Sequence, residues 1–179
     1  VAAIDFSPAV PESDGAFHDG LLLAVKSDGE KVFYNSQGKE AFTLPEGVEP
    51  LSDFYGQRAL VKDVKTNLVG YINTKGALAV PCLYETGATY SEGIASVSLP
   101  GSEEKLVIDR FGRVVSKFKK VYSSDYIFNG GLALVYNQDG GIGFIDTSGT
   151  LVVPSSTIMG AYTVKDWWLC GMTRGNTDT

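Results

Sequence analysis

Four segments of this chain say nearly the same thing. Phe17-His18-Asp19-Gly20, Phe54-Tyr55-Gly56-Gln57, Tyr90-Ser91-Glu92-Gly93 and Phe128-Asn129-Gly130-Gly131 begin 37, 36 and 38 residues apart. A recurrence of this length marks supersecondary units that bury their apolar faces by stacking on one another. It constrains the fold more tightly than any single residue does.

Each copy continues in the same way. A small-apolar run follows the aromatic, as Ala59-Leu60-Val61, Ala95-Ser96-Val97 and Ala133-Leu134-Val135, with a looser Leu22-Leu23-Ala24-Val25 in the first copy. Polar tips come next: Ser27-Asp28-Gly29, Lys65-Thr66-Asn67, Pro100-Gly101-Ser102 and Gln138-Asp139-Gly140. These residues accept positive φ or hydrogen-bond their own backbone, and so predict tight turns between antiparallel strands. Then stand Val32-Phe33-Tyr34-Asn35, Gly70-Tyr71-Ile72-Asn73, Leu106-Val107-Ile108-Asp109 and Gly143-Phe144-Ile145-Asp146, each with a glycine three positions on (Gly38, Gly76, Gly112, Gly149). An Asx side chain accepts a bond from an amide two residues ahead and glycine takes the left-handed conformation, so Asx-x-x-Gly predicts a hairpin turn. A third strand, Ala77-Leu78-Ala79-Val80-Pro81 or Thr150-Leu151-Val152-Val153-Pro154, is expected to end at its proline, which offers no ladder donor. Pro45 plays that part in the first copy, and Lys117 interrupts it in the third.

This grammar, aromatic-x-x-Gly-x-Ala-x-Val, then Gly-aromatic-Ile-Asp/Asn-x-x-Gly, then a strand ending in Pro, resembles the bacterial WG-repeat family over residues 17 to 160. The name-giving tryptophan is replaced, by Val69 in the second copy and Ile142 in the fourth, while the first and third read Lys31-Val32 and Lys105-Leu106. The resemblance implies a repeat-built interaction protein of bacteria, placed in the cell envelope or secreted, and brings no catalytic residue set with it. A cytoplasmic location also suits an acidic, cysteine-poor chain.

The expected fold is all-β, a single repeat domain over residues 1–179 with units at 17–53, 54–89, 90–127 and 128–162 and partial units at 1–16 and 163–179. Apolar residues on both faces of Leu132-Ala133-Leu134-Val135 and Leu78-Ala79-Val80 call for strands covered on both sides. Short meanders of this length suit a β-propeller blade, and the two partial ends together approach one more unit, which would close a five-bladed ring and remove exposed edges. An open β-hairpin solenoid is the alternative with the same period. The first residue is Val1, so the chain is expected to belong to something longer.

At net charge −6, the chain repels phosphate backbones, and no nucleic-acid partner is expected. No apolar run approaches the roughly 20 residues that a membrane helix needs, so no membrane insertion is expected either. Arg110, Arg113, Lys117, Lys119 and Lys120, together with Lys105, concentrate positive charge in the third unit. They form either a patch for an anionic partner or a lysine-guarded strand edge, and the edge is the simpler reading.

The motifs GxSxG, the P-loop and HExxH are missing from the sequence, and Gly140-Gly141-Ile142-Gly143 reads as a hairpin tip. Asp109 and Asp146 are accounted for by turns, and the single histidine, His18, reads as a surface or edge residue. Glu12, Asp14 and Asp19 lack the spacing of an EF-hand and read as a surface loop. With one histidine and no CxxC, no metal and no cofactor are expected, and Cys82 and Cys170 are expected to be free thiols.

Phe17, Phe54, Tyr90 and Phe128 share one register, and Phe33, Tyr71, Val107 and Phe144 another, so both sets are expected in the core between units. The off-pattern aromatics Tyr55, Tyr84, Phe118, Tyr122, Tyr126, Tyr162, Trp167 and Trp168 are the ones free to bind something. The sequence therefore supports a non-catalytic module for protein–protein interaction. The alternative is carbohydrate or cell-wall binding, with Trp167, Trp168 and Tyr84 stacking on sugar rings and Arg110 and Lys119 as polar candidates. A glycan-active hydrolase, with two acids facing each other across a cleft, is a third reading that no motif supports.

Overall fold

The computed structural model describes residues 13–119, 125–136, 142–164 and 167–173, with side chains through residue 154. Its strands are β1 (Leu21–Val25), β2 (Lys31–Asn35), β3 (Val48–Tyr55), β4 (Arg58–Asp63), β5 (Val69–Asn73), β6 (Leu78–Tyr84), β7 (Thr86–Gly87), β8 (Ile94–Ser98), β9 (Glu104–Asp109), β10 (Val114–Lys119), β11 (Phe128–Asn129), β12 (Leu132–Tyr136), β13 (Ile142–Asp146), β14 (Leu151–Val164) and β15 (Trp167–Thr173). They form antiparallel meanders: β1-β2, β3-β4-β5-β6, β7-β8-β9-β10 and β11-β12-β13-β14-β15. The fold is all-β and propeller-like, one sheet per repeat. The last strand, β15, is hydrogen-bonded to β14 as a fifth strand of the fourth sheet. Ring closure depends on residues 1–12, which lie outside the described residues.

The repeat grammar builds two turns per unit. After each register aromatic, both central residues have positive φ: Asp19 and Gly20, Gly56 and Gln57, Glu92 and Gly93, Gly130 and Gly131. This is the type I′ turn whose twist matches the flanking strands. At the Asx turns, Asn35, Asn73, Asp109 and Asp146 each accept at Oδ1 the amides two and four residues ahead, with N···O distances of 2.9–3.2 Å. The glycine amide three residues on bonds back to the Asx carbonyl in every copy. The expected turn is present four times.

The units pack face to face through the registers that the sequence singles out. Leu23 and Phe33 of the first unit meet Phe54, Ala59, Val61 and Ile72 of the second. Tyr71 of the second meets Tyr90, Val97 and Ile108 of the third, and Val107 of the third meets Phe128, Val135 and Ile145 of the fourth. The Phe33–Phe54 and Tyr71–Tyr90 pairs are edge-to-face, with centroids 4.9 and 4.8 Å apart, a geometry worth about 0.5–1.5 kcal/mol beyond burial. The Tyr71 hydroxyl donates to the Ala88 carbonyl, which follows β7 of the next sheet, and the Tyr90 hydroxyl donates to the Asp109 carbonyl within its own unit, each at 2.7 Å.

Two expectations are corrected. Phe17 is 52% exposed, not core. Its counterparts each rest on the preceding unit, and the described residues contain no unit before the first. Nor do the prolines end their strands: β6 runs through Pro81 and β14 through Pro154. Each strand bulges there, with the register slipping between Val69 and Tyr71 and again between Ile142 and Phe144. A bulge leaves residues without a ladder partner, which is where proline does no harm. The bulge presses on the WG-type glycine: a Cβ at Gly70 would lie 2.6–2.7 Å from backbone atoms of Val80, Pro81 and Cys82. The third copy has Lys117 where this proline stands and Leu106 where this glycine stands, and β10 passes Leu106 and Val107 without a slip.

Candidate functional site

The third strand of the unit is half wet. On these strands Leu78, Val114, Val115 and Val152 are all exposed, and Phe111, at the neighbouring turn tip, is 70% exposed. Expected coverage on both faces therefore fails for Leu78-Ala79-Val80, where Val80 is buried and Leu78 is not. Val80 is held by the next unit, its γ carbons 3.3 Å from where a Cβ on Gly112 would stand, while Leu78 is exposed. The outer strands thus carry an apolar series from unit to unit.

Most binding candidates taken from the sequence are used internally. Tyr84 is buried in the core between the second and third units, and burial raises its phenol pKa, so its ring is not a stacking platform. The Arg110 side chain is exposed, and its carbonyl is capped by the Arg58 guanidinium at 3.0 and 2.7 Å, which ties the second unit to the third. Lys119 faces Glu103 at 3.5 Å, Lys117 faces Glu104 at 3.7 Å and Arg113 pairs with Asp109 at 2.6 Å. Arg113, Lys117 and Lys119 of the basic cluster are therefore matched by acids on the adjoining strand and turn. Lys120 and Tyr122 lie outside the described residues, as do the side chains of Tyr162, Trp167, Trp168 and Cys170. Cys82 is a free thiol whose pKa is raised by burial.

Lys105 is the clearest departure from the surface patch. It occupies the slot of the family tryptophan, is buried, donates to Thr86 Oγ1 at 3.1 Å, and holds its ammonium 5.5 Å from the centre of the Tyr126 ring. Tyr126 itself is buried. A lysine stem fills apolar space, and its head gains from the ring face. A lysine between Glu104 and Leu106 reads as solvated, so the sequence hides this role.

One polar cluster joins the first two units. Asp14 and His18, ahead of β1, face Asp53 of β3, and one ligand-type atom from each lies within 4.8 Å of the other two. His18 Nε2 is 2.8 Å from Asp14 Oδ1, and the imidazole packs on Tyr55 with ring centroids 4.7 Å apart. The His18 bond, followed by the Ala16 amide, holds the Asp14 carboxyl below its usual pKa. The Asp14 amide reaches Asp53 Oδ2 at 3.3 Å. Asp53 has no exposed surface, and its Oδ1 has no hydrogen-bond partner among the described residues. It sits in a bulge: β3 and β4 pair Pro50 with Val61 and next Phe54 with Ala59, so Asp53 falls among residues left without a ladder partner. Bulges re-aim side chains in this way. His18, read from sequence as an ordinary surface or edge residue, is thus a half-buried member of a charged cluster.

Among solved structures, similar ones include BamB from Moraxella catarrhalis, at 10% identity and TM-score 0.48, covering 78% of this chain and 50% of that one. A protein of unknown function from Bacteroides caccae is similar at 17% identity and TM-score 0.41, covering 82% of this chain and 64% of the other. The chain thus spans less than two thirds of either protein. No curated protein matches it. Residues 70–99, from Gly70 in β5 to just past the end of β8, match the family described as WG containing repeat. The same turns and the same packing registers recur in the copies on either side of this match.

Proposed function

We propose that this repeat module is a non-catalytic scaffold for binding a protein partner, as part of a larger bacterial envelope or secreted protein. The observation that carries this reading is the apolar series on the outer strands, Leu78, Val114, Val115 and Val152, with Phe111 beside it at the turn tip. Exposed apolar side chains that recur on the outer strands of a rigid scaffold suit a protein surface better than a sugar, which calls for exposed rings flanked by polar groups. The burial of Tyr84 weakens the glycan alternative further. Family resemblance supports the envelope or secreted setting.

The test is retention of proteins from a bacterial envelope extract by the immobilised chain, set against Phe111→Ser and Val115→Lys variants shown to be folded by circular dichroism. A retained protein that both variants release supports the reading. Retention of peptidoglycan or an insoluble polysaccharide, with no protein lost in the variants, refutes it in favour of glycan binding.

A further inference from the structure

We propose that Asp14, His18 and Asp53 form a binding site for a divalent first-row transition cation of the Zn2+ class, which clamps the segment ahead of the first unit onto the second. The donors are two carboxylates and one imidazole, already within 4.8 Å of one another. Ligand atoms around a tetrahedral Zn2+ stand about 3.4 Å apart, as follows from metal–ligand distances of about 2.0–2.2 Å, so small side-chain rotations complete the set. The Asp14–His18 hydrogen bond gives way when the cation takes the place of the proton between those two groups.

The second, independent observation is Asp53. A fully buried carboxylate oxygen with no donor is costly, and native proteins resolve it with a partner, a water or an ion. The repeat does not require an acid there: the slot before the register aromatic holds Ala16, Thr89 and Ile127 in the other copies. Two carboxylates and a neutral imidazole around a dication sum to zero charge, which removes the penalty of leaving Asp53 charged in the interior. The imidazole selects against Ca2+ and Mg2+, which take oxygen ligands. With three protein donors, the cation keeps an open position for water or for a donor from a partner.

The experiment is competition of chelator-stripped protein with a chromophoric Zn2+ chelator, alongside melting curves with and without Zn2+, and with Ca2+ and Mg2+ as controls. The wild type is expected to bind one Zn2+ per chain and to melt higher in its presence. His18→Gln and Asp53→Asn are each expected to weaken binding at least tenfold and to abolish the Zn2+-dependent rise in Tm. His18 lies toward the surface, so its variant remains a folded control if Asp53→Asn fails to fold. The proposal is overturned if folded wild type binds no Zn2+ at 100 μM (about −5.5 kcal/mol), if His18→Gln binds as tightly as wild type, or if Ca2+ raises Tm as much as Zn2+ does.

Discussion

Gly38, Gly76, Gly112 and Gly149 occupy one turn position in the four units, with φ of 70°, 80°, 78° and 82°. Alanine therefore meets the same left-handed strain at each, about 1–2 kcal/mol. What its Cβ would touch differs. At Gly38 nothing lies within 4 Å, at Gly112 the Val80 γ carbons lie at 3.3 Å, and at Gly76 and Gly149 the atom would run into the rings of Phe42 and Phe118 of the preceding unit. Overpacking of a filled interior adds about 1–3 kcal/mol. Gly38→Ala is accordingly expected to lower the free energy of unfolding by about 1–2 kcal/mol, Gly112→Ala by slightly more, and Gly76→Ala and Gly149→Ala by about 2–5 kcal/mol. Urea titration followed by far-ultraviolet circular dichroism measures all four. In a Phe42→Ala background the excess at Gly76 should vanish, leaving the effect seen at Gly38. Equal losses at Gly38 and Gly76, or an excess that survives removal of the Phe42 ring, would refute the claim that this glycine is an interface residue and not merely a turn residue.

Three further outcomes follow from individual contacts. Tyr71→Phe strands the Ala88 carbonyl, since burial both raises the phenol pKa well above its ordinary value and keeps water from replacing the lost 2.7 Å bond; a loss of about 1–3 kcal/mol in urea titration is expected, and no change would mean that the carbonyl finds another donor. Lys105→Glu puts an acid where a buried ammonium meets Thr86 and Tyr126 and should destabilise by about 2 kcal/mol or more; the exposed Lys119→Glu should stay within about 0.5 kcal/mol, and similar losses in the two would return Lys105 to the surface. The Ser148 hydroxyl and then the turn amides of Thr150 and Ser148 lower the Asp146 carboxyl pKa against the opposing effect of burial; a carboxyl depressed in the folded state stabilises above its unfolded pKa of about 3.9 and loses that contribution as pH falls through the folded value. Asp146→Asn, which copies Asn35 and Asn73 of the same slot, should therefore keep the turn at pH 7 and flatten the fall of Tm below pH 4; a slope identical to wild type counts against the linkage.

The fold was legible wherever a residue type does one local job four times. Asn35, Asn73, Asp109 and Asp146 mark their turns because the Asx bond and the left-handed glycine are both within five residues, and neither depends on what lies beyond. The aromatic registers were legible for a related reason: two rings that recur at one shared spacing meet in the same way at each interface, the first register of a unit on the second register of the unit before it, as Phe54 faces Phe33 and Tyr90 faces Tyr71. Phe17 shows where that inference stops. It has the same residue type in the same slot as Phe54, and its burial depends on a neighbour that the slot does not encode. Pro81 and Pro154 fail differently, because strand or bulge is decided by the partner strand, and the glycine that accommodates the bulge, Gly70 or Gly143, stands earlier in the chain.

The polar cluster was illegible for a deeper reason, since periodicity directs attention to what repeats. Asp53 occupies a slot where the other copies have Ala16, Thr89 and Ile127, and it lies on β3 of the second sheet, 35 residues after His18 and beyond any local motif. Stacking alone brings the two together. The same geometry makes its use plausible to test: Asp19 Oδ2 already accepts the Gln57 amide at 2.6 Å, joining the first unit's turn to the second, and Glu92 accepts Gly130 and Gly131 at 2.7 and 2.9 Å one interface further on. Those acids are satisfied by backbone amides at the position that follows each register aromatic by two. Asp53, buried one position before the aromatic, has one weak amide contact and an oxygen left over. A carboxylate that merely fastened two units together would resemble Asp19 or Glu92, at the surface with short bonds. Because Asp53 is instead withdrawn from water beside an imidazole and a second carboxylate, fastening does not account for it, and the cation competition experiment is the measurement that separates a structural acid from a ligand.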